Sequence, residues 1–469
     1  MKRPLFLSTE KAARVHAATL QVLEKTGVLL DHAEGESLYL EAGATKDKEG
    51  RILIPRHLVE EALEKAHAEI QMYDRDGETS ILVRDGNTYF GTGSDALYNI
   101  DRKSGERRCS TLSDVADNVR IADGLKGFDF MMSMALPKDV EQHRLYPAVF
   151  TEMIKNTNKP IVTTLTTLED IKSIHQIASI VAGGEQQLKE KPFFLAYLEP
   201  ISPLKMDNSS TQRLLYCAEN EIPFMYAAGA NSGTGAPITP EGGVVQGTAE
   251  SLAGLILAML KNEATKFVYG ANTSSVDMKS MLVCYGAPEW FKTVAMYADM
   301  GKYYNLPSWG TAGCSDAFFV DAQAAMEAYE GILFALQSES TLAHDVGYLA
   351  HGELYDARML VLTDAMIGRA KHILKPVDLS EENFAMDVIN VVARCDDLYL
   401  AQPHTADRFR ESLWMPPTFI ERRKTEDREN ASELKDLLSE AVDRISTNHK
   451  PKVLANSKAE QIDQVLNSI

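Results

Sequence analysis

Short apolar runs alternate with longer mixed stretches along the chain from residue 110 onward. Between the runs lie segments long enough for a helix, such as TAESLAGLILAMLKN at 248–262. Strands that alternate with helices form a parallel sheet, and seven or eight repeats predict a closed (β/α)₈ TIM barrel. The apolar runs are FDFMMSMALP (128–137), PIVTTLTT (160–167), PFFLAYLEPIS (192–202), IPFMYAAGA (222–230), KFVYGANTS (266–274), PSWGTAGCS (307–315) and STLAHDVGYL (340–349).

A doubly wound open sheet is the alternative architecture for the same alternation. Sheets of that kind often carry a glycine-rich nucleotide loop directly after a strand, and no Rossmann fingerprint or P-loop follows any of the runs. The single GTG at 91–93 is a weak signal by itself. The pattern therefore favours the barrel.

The regions on either side of this pattern look helical. The first ~75 residues are polar, and LSTEKAARVHAATLQVLEKTG opens on a Ser/Thr cap and closes at Gly27. The segment NTYFGTGSDALYNID (87–101) is typical of a hairpin or of a strand with a glycine turn. The sequence after residue 420 has a charged helical pattern. We predict an N-terminal helical extension packed on the barrel (1–75), the (β/α)₈ barrel (76–420) and a C-terminal helical tail (421–469).

Composition and charge restrict the classes of partner. The 469 residues are 45% hydrophobic and 25% charged, which allows a large core. A formal net charge of −19 disfavours nucleic acid, which binds to a basic face, and it also disfavours an anionic membrane surface. The ordinary explanation of such a charge is solubility.

The same sequence features predict a cytoplasmic protein. The N-terminal MKRPLFLSTEKAARVHAATL becomes charged too soon for the core of a signal peptide, and nowhere do about 18 apolar residues follow one another. The cysteines are odd in number, scattered and without a CxxC pair, which fits a reducing compartment and argues against a structural zinc site. They are Cys109, Cys217, Cys284, Cys314 and Cys395.

The predicted carboxyl ends of the strands, where the sites of TIM barrels lie, carry aromatic and acidic residues with few lysines or arginines. One tyrosine at such a position is more often part of the core than a ligand contact. Several aromatic faces at one opening attract a cation without hydrogen bonds, which fits a quaternary ammonium group because it has no N–H. The strand-end residues are Asp95, Tyr98, Tyr197, Glu199, Tyr226, Tyr269, Asn272, Trp309, Asp316, His344 and Tyr348.

Other chemistries receive less support from the residues. His344 and His351 lie seven apart without a strong cluster of carboxylates, which is poor spacing for a hydrolytic zinc site. Cys314 is either a nucleophile or, by default, a small buried thiol, and His344 is either a site residue or a core histidine. Glu199 and Asp316 could act as the acid and base of a barrel hydrolase or lyase.

Five stretches spread over most of the chain carry a family resemblance. In their order and spacing they are similar to the trimethylamine methyltransferase family, in the branch that lacks pyrrolysine. The stretches are FGTGSDALYNIDRKSGERRCSTLSDVADNVRIADGL (90–125), YGAPEWFKTVAMYADMGKYYNLPS (285–308), GCSDAFFVDAQAAMEAYEGILFAL (313–336), HDVGYL (344–349) and YLAQPHTADRFRESLWMPPTFIERR (399–423).

The resemblance implies a (β/α)₈ barrel that passes a methyl group from a methylamine-type substrate to the cobalt of a separate corrinoid protein. We expect no tightly bound cofactor, because the cobalamin is carried by the partner or supplied free, and we also expect a homo-oligomer. The position of pyrrolysine would lie near Gly313–Ser315, which makes Gly313, Cys314 and Asp316 candidate catalytic residues. Gly310 and Gly313 would let the corrin approach the backbone, or else they form a tight barrel corner.

The resemblance also bears on the substrate. The family commonly has Thr-Asp-Ser-Lys where this chain reads Ser315-Asp316-Ala317-Phe318. The missing lysine argues against simple methylamines and adds Phe318 to the candidate binding residues. A quaternary amine leaves as a neutral tertiary amine and needs no proton donor.

Glycine betaine, with dimethylglycine as product, is therefore the first candidate substrate, and proline betaine and carnitine are alternatives. Its carboxylate would require donors such as His344, the backbone at 310–313 or, less favourably, Arg358. A non-catalytic betaine-binding protein is the alternative function.

Overall fold

The computed structural model describes residues 5–395, 397–422, 424, 426 and 431–469. The N-terminal part contains short strands as well as helices, so the prediction that it is helical was only partly right. Strands of two or three residues are too short to produce a periodic pattern in the sequence. The elements are α1 (Thr9–Gln21) with a π turn (Val22–Thr26), β1 (Val28–Leu30), α2 (Ala33–Glu41), β2 (Thr45–Lys46), β3 (Arg51–Leu53), α3 (Arg56–Lys65), β4 (Glu69–Tyr73) and β5 (Ser80–Arg84).

Parallel strands and helices alternate through the central part. The elements are β6 (Tyr89–Phe90), β7 (Tyr98–Ile100), β8 (Arg107–Cys109), α4 (Leu112–Asp123), a 3₁₀ turn (Gln142–Arg144), α5 (Leu145–Asn156), β9 (Ile161–Thr164), α6 (Leu168–Ala182), α7 (Glu185–Glu190), β10 (Phe194–Leu198), β11 (Lys205–Met206), α8 (Asn208–Glu219), β12 (Phe224–Tyr226), β13 (Ala228–Asn231), α9 (Pro240–Lys261), β14 (Phe267–Val276), β15 (Val283–Cys284), α10 (Pro288–Tyr304), β16 (Ser308–Thr311), α11 (Ala322–Ser338), β17 (Leu342–His344), β18 (Tyr348–Leu349), a 3₁₀ turn (Ala350–Gly352), β19 (Leu354–Tyr355) and α12 (Ala357–Ile373).

Seven of these strands form one curled parallel sheet in the order β6-β17-β16-β14-β12-β10-β9. Its two edge strands, β6 and β9, are both bridged in parallel by the segment between them, through Gly91–Phe130 and Met131–Ile161. The apolar run at 128–137, predicted as a strand, therefore contributes only single bridges. The segment 87–101, predicted as a hairpin or a strand with a glycine turn, contains β6. The result is a mixed α/β, TIM-barrel-like fold.

Side chains along the strands alternate between two apolar cores, as the period of two requires. On β10, Leu195 and Tyr197 belong to the core inside the curled sheet, whereas Phe194 and Leu198 pack outward against the helices. Tyr226, at the end of β12, also lies in the outer core. This alternation decides which strand-end residues reach the site.

The N-terminal elements cover one side of the barrel-like sheet. Helices α1, α2 and α3 contact α9, and β1 pairs with β11. The buried carboxylate of Asp299 on α10 accepts the backbone N–H groups of Leu5, Phe6 and Leu7. The predicted boundary at residue 75 falls in the turn of the β4–β5 hairpin, and the predicted domain limits stay a prediction.

Among the described residues, one helix is long and apolar enough to cross a membrane by length and composition, namely α9. Its most apolar window is 83% buried inside the fold. This burial explains the apolar composition of α9 as that of a core helix.

The last two helices of the chain pack on helices of the barrel-like body. Helix α16 packs on α12 and α4, and α17 packs on α6 and α5. Leu438 and Val442 of α16 and Ile462 of α17 are buried in these contacts. The elements after α12 are α13 (Glu381–Phe384), α14 (Met386–Cys395), a 3₁₀ turn (Tyr399–Ala401), α15 (Pro403–Ser412), α16 (Leu434–Asn448) and α17 (Asn456–Ser468).

Candidate functional site

A cavity of about 780 Å³ opens at the carboxyl ends of the parallel strands. Thr164 of β9, Tyr197 of β10, Asn272 of β14 and His344 of β17 reach it from four separate strands. Connections after the strands supply the rest of the wall. Its charged and aromatic lining comprises Asp95, Tyr146, Tyr197, Glu199, Asp207, Arg213, Tyr285, Trp290, His344, Asp345, Tyr348, His351 and Glu353.

Of the five carboxyl groups of the described chain that line this cavity, three have a pKa that burial raises. The pKa of Asp95 rises to about 6, although hydrogen bonds from Thr164 and Ser94 oppose the effect of burial. Burial also raises the pKa of Asp345 and that of Glu199. Asp95 and Asp345 both adopt positive φ angles, which point their short side chains away from a regular strand direction.

Glu199 is exposed at the open part of the cavity, and its raised pKa comes from the protein that surrounds the cavity. The Tyr197 hydroxyl donates to Glu199 Oε1 at 2.6 Å, which favours the charged carboxylate. A Cβ atom on Gly229 would lie 3.3 Å from the same oxygen. The glycine therefore leaves the space in which Glu199 lies.

The ring of His344 contacts the protein through both of its nitrogens. The Gly310 carbonyl oxygen lies 2.8 Å from His344 Nδ1 and can only accept, so Nδ1 is the donor. On the other side of the ring, Nε2 lies 3.2 Å from Asp345 Oδ2. The imidazole of His344 therefore lies between a backbone carbonyl and a carboxyl group.

Aromatic rings form a large part of the wall. Tyr285 stacks on Trp290 with ring centroids 4.5 Å apart. Its position depends on Asp316, which accepts the backbone N–H groups of Tyr285 at 2.7 Å and Gly286 at 3.0 Å. Below the cavity, the Trp309 ring lies 4.4 Å from the ring of His344.

Arg213 of α8 brings a guanidinium group to the cavity. Nε donates to the Ser209 carbonyl at 3.1 Å and Nη1 to the Leu165 carbonyl at 2.6 Å. Within the described part of the chain, Nη2 makes no hydrogen bond, so it can donate to a ligand. The positive charge also opposes the rise in the pKa of Glu199.

The structure brings six of the sequence-predicted residues to the cavity: Asp95, Tyr197, Glu199, Asn272, His344 and Tyr348. Three predicted aromatic residues do not line it. Tyr226 and Tyr269 point to the outer face of the sheet, where the Tyr269 hydroxyl pairs with Thr248 at 2.8 Å. Trp309 points inward but is completely buried in the core below the cavity.

The residues of the glycine-rich turn lie behind the cavity wall rather than on it. A Cβ on Gly313, whose φ is +67°, would lie 2.8 Å from Val346 Cγ1. Burial raises the pKa of the Cys314 thiol well above its usual range, so the neutral thiol dominates. The carboxylate of Asp316 is used by Tyr285, Gly286 and His351. The glycines therefore make room for the protein's own chain at a tight corner.

Three further candidates also lie elsewhere. Tyr98 belongs to β7, and its ring lies 4.2 Å from the guanidinium of Arg107 outside the cavity. Phe318 is 63% exposed and contacts the ring of His351 from outside. Arg358 pairs with Asp356 at the start of α12 and does not reach the cavity.

Sequence reasoning did not select Tyr146, Arg213, Tyr285, Trp290 or Asp345 for this site. Tyr285 and Trp290 follow β15, a short strand that pairs antiparallel with the extended end of β14. Asp345 directly follows His344, and this adjacency in HDVGYL was the available signal. Arg213 is on a helix, where an arginine is usually a surface group.

Comparison with known proteins gives consistent results. A family model described as trimethylamine methyltransferase (MTTB) matches residues 2–466. The trimethylamine methyltransferase MttB of Desulfitobacterium hafniense is 29% identical over 86% of this chain and 81% of that protein. A glycine betaine methyltransferase of the same species is 27% identical over 87% of this chain and 85% of that protein.

A relative from another genus and a solved structure are also similar to this chain. The trimethylamine methyltransferase MttB of Methanosarcina thermophila is 28% identical over 97% of this chain and 94% of that protein. The crystal structure of the hydroxylamine MtmB complex matches with a TM-score of 0.50, at 12% identity, over 97% of this chain and 92% of that chain, which supports the fold. The match of the family model over nearly the whole length establishes that the chain belongs to the trimethylamine methyltransferase family.

Proposed function

We propose that this methyltransferase-family protein moves a methyl group from a quaternary amine to Co(I) of a separate corrinoid protein. Glycine betaine is the first candidate donor, with dimethylglycine as product, and the catalytic unit is a closed (β/α)₈ barrel. The observation that supports this most is the cavity in which Asp95, Glu199 and several tyrosine rings converge. Its position at the carboxyl ends of the strands is where barrel enzymes bind their substrates.

The charge of the cavity favours a permanent cation. The carboxyl groups of Asp95, Glu199, Asp207, Asp345 and Glu353 line the cavity, whereas Arg213 is, among the described residues, the one arginine or lysine in its lining. A quaternary ammonium group keeps its charge at every pH and offers no N–H, so it is bound by carboxylates and by aromatic faces such as Tyr197 and Tyr285. These features support the choice of a quaternary amine over a simple neutral ligand.

A betaine also carries a carboxylate, which Asp95 and Glu199 repel. Arg213 provides the compensating charge, because Nη2 is available for a charge-assisted hydrogen bond. We therefore assign the ammonium end to the side of Asp95 and Glu199 and the carboxylate end to Arg213. This assignment replaces the sequence-based candidates Arg358 and the backbone at 310–313.

The methyl-transfer step needs no proton. The cobalt electron pair forms a Co–C bond to the methyl carbon, the C–N bond breaks, and its electron pair stays on nitrogen as a neutral tertiary amine leaves. The residues of this chain bind and orient the donor, and the carboxylates stabilise the cation before the reaction more than the transition state, in which the charge is spread. Their contribution is thus to affinity and alignment, and alignment alone is worth about 7–11 kcal/mol in the best intramolecular models.

The test is methylation of reduced cobalamin, followed by its absorbance change. Glycine betaine, proline betaine and carnitine are compared with trimethylamine as a tertiary control. We expect turnover with at least one quaternary amine and none with trimethylamine. Calorimetric binding of a betaine without any methylation, with free cobalamin or with corrinoid proteins, would instead establish the non-catalytic alternative.

One variant tests the binding of the carboxylate end of the donor separately from that of the ammonium end. Arg213→Met should weaken glycine betaine by about tenfold, or 1.4 kcal/mol, and leave the carboxylate-free cation choline unaffected. Equal weakening of both ligands would contradict the assignment of Arg213 to the carboxylate. The hydrolase alternative built on Glu199 and Asp316 gains no support, because Asp316 lies behind the wall.

A further inference from the structure

Residues 373–415, which we call the arm, leave the barrel-like body and return to it. Before the arm, Ile367 and Ala370 of α12 are buried. At its end, the ring of Trp414 lies 5.6 Å from the guanidinium of Arg369, and beyond it Phe419 is buried. Among the described residues between these anchors, Val392 alone is buried.

The arm has its own internal contacts. Arg408 of α15 forms an ion pair with Glu382 of α13. Gln402 donates to Asp397 at 2.8 Å, and Thr405 donates to the Tyr399 carbonyl at 2.6 Å. The arm is therefore held in shape in part by contacts of its own.

The surface of the arm is unusually apolar for exposed protein. Of the 26 exposed large hydrophobic residues in the described chain, 13 lie in the arm, although it contains fewer than a tenth of the residues. Monomeric proteins rarely leave such a surface uncovered. The 13 residues are Ile373, Leu374, Val377, Leu379, Phe384, Met386, Ile389, Val391, Leu398, Tyr399, Leu400, Leu413 and Met415.

We propose that the arm is the surface through which two copies of this chain associate. The exposed apolar side chains amount to an area on the order of 1,000 Å² per copy, compared with about 800 Å² per partner in a standard stable interface. A two-fold contact buries the same patch on both copies at once, and it is the commonest symmetry of soluble oligomers. A second copy therefore covers the arm without a further component.

The arm lies away from the mouth of the cavity. Helix α12 starts just after the cavity-lining residues His351 and Gly352, and its 17 residues span about 25 Å. Near its end, Lys371 lies 3.7 Å from Asp129, which directly precedes the bridging residue Phe130. The arm thus begins at the amino ends of the strands, and association there leaves the mouth open.

Charge disfavours a lipid surface as the occupant. The arm contains eight acidic and four basic residues. Binding to anionic lipid requires a basic excess. Acidic and basic side chains are both present, which allows charged residues of one arm to form ion pairs with those of a second arm.

The proposal is tested by sedimentation equilibrium of the intact protein over a wide concentration range. We expect a dimer or a larger assembly containing it. Leu400→Glu, at a side chain that is 85% exposed, should raise the dissociation constant by at least about 30-fold, the effect of removing a strong interface residue. Val453→Glu, at an 84% exposed residue outside the arm, is the matched control and should leave the dissociation constant unchanged.

A second measurement covers the case in which Leu400→Glu fails to fold. In the unaltered protein, amide hydrogen exchange of residues 373–415 should slow as concentration rises, whereas exchange at α17 should not change. A wild-type protein that is monomeric throughout overturns the proposal. So does an assembly that survives Leu400→Glu, or one that Val453→Glu disrupts equally. Arm protection that appears only with a corrinoid protein or with anionic vesicles would assign the arm to that partner instead.

Discussion

The inward and outward faces of the sheet give the same residue type opposite roles. Tyr197 lies next to the last residue of β10 on the inward face, where its hydroxyl donates to Glu199 in the cavity. Tyr226, the last residue of β12, and Tyr269, in the first half of β14, lie on the outward face and are completely buried against helices. The comparison shows that position in the two-residue period, rather than residue type or nearness to the strand end, decides whether a tyrosine can meet a ligand.

The largest expected effect is on stability at the outer face. Tyr226→Ala removes a fully buried ring that packs on Gly254 of α9 and should lower the free energy of unfolding by about 3–5 kcal/mol. Tyr197→Ala, at the cavity wall, should lower it less. Chemical denaturation measures both, and a Tyr226→Ala protein of normal stability with impaired ligand binding would reverse the comparison.

At the inner face the expected effect is on affinity. Glu199→Gln keeps the shape of the side chain, removes its charge and should weaken a quaternary ammonium ligand by about tenfold. The carbon isostere of glycine betaine, 3,3-dimethylbutyrate, lacks the positive charge and serves as the control ligand. Calorimetry should show no comparable loss for the isostere, and an equal loss for both ligands would mean that Glu199 does not act through charge.

A pH dependence should appear at the same face. The pKa of Asp95 is raised to about 6 by burial, so its negative charge is lost as pH falls through that value. Affinity for a quaternary amine should therefore decrease between about pH 7 and pH 5, and Asp95→Asn should reduce this decrease. The native carboxyl binds its proton before the unfolded one does, so the Asp95 contribution to the free energy of unfolding should increase as pH falls over this range. A steeper affinity profile in Asp95→Asn would contradict the assignment.

The smallest expected effects come from removing one hydroxyl at each face. Tyr269→Phe loses the hydrogen bond with Thr248 and should lower the free energy of unfolding by about 1 kcal/mol without changing affinity. Tyr197→Phe removes the donor to Glu199 and should weaken a cation about threefold at neutral pH while stability changes little. Denaturation and calorimetry on both variants check whether the two effects separate.

Much of the fold could be predicted from the alternation of apolar runs and helical segments. Six of the seven runs contain a strand of the curled sheet, because their β-branched and aromatic residues are buried on both faces. The alternation could not predict β6 or the N-terminal strands β1, β2 and β3, because a strand of two or three residues shows no period. The resemblance predicted the family, and the match over residues 2–466 confirmed it.

The site was harder to predict than the fold. Tyr226 was misassigned, although its spacing of two from the outward-facing Phe224 placed it on the outer face. Tyr285 and Arg213 reach the cavity from outside the strands, and no local pattern signals that convergence. Gly310 and Gly313 were read as openings toward a ligand, but nearby Ser340 and Val346 occupy the space that a side chain would need.

Thr92 has a consequence for how the walls of the cavity stay together. Its hydroxyl accepts the backbone N–H of Met132 at 2.8 Å and donates to the carbonyl of the same residue at 3.0 Å. It takes the place of a pair of main-chain hydrogen bonds where the sheet is joined by single bridges. Main-chain hydrogen bonds from Asp129 to Phe90 and from Met134 to Gly93 lie on either side of it. Thr92 therefore adds two hydrogen bonds in the middle of this connection, three residues before Asp95. Thr92→Val would remove both and make local opening of the fold at the site easier without enlarging the cavity.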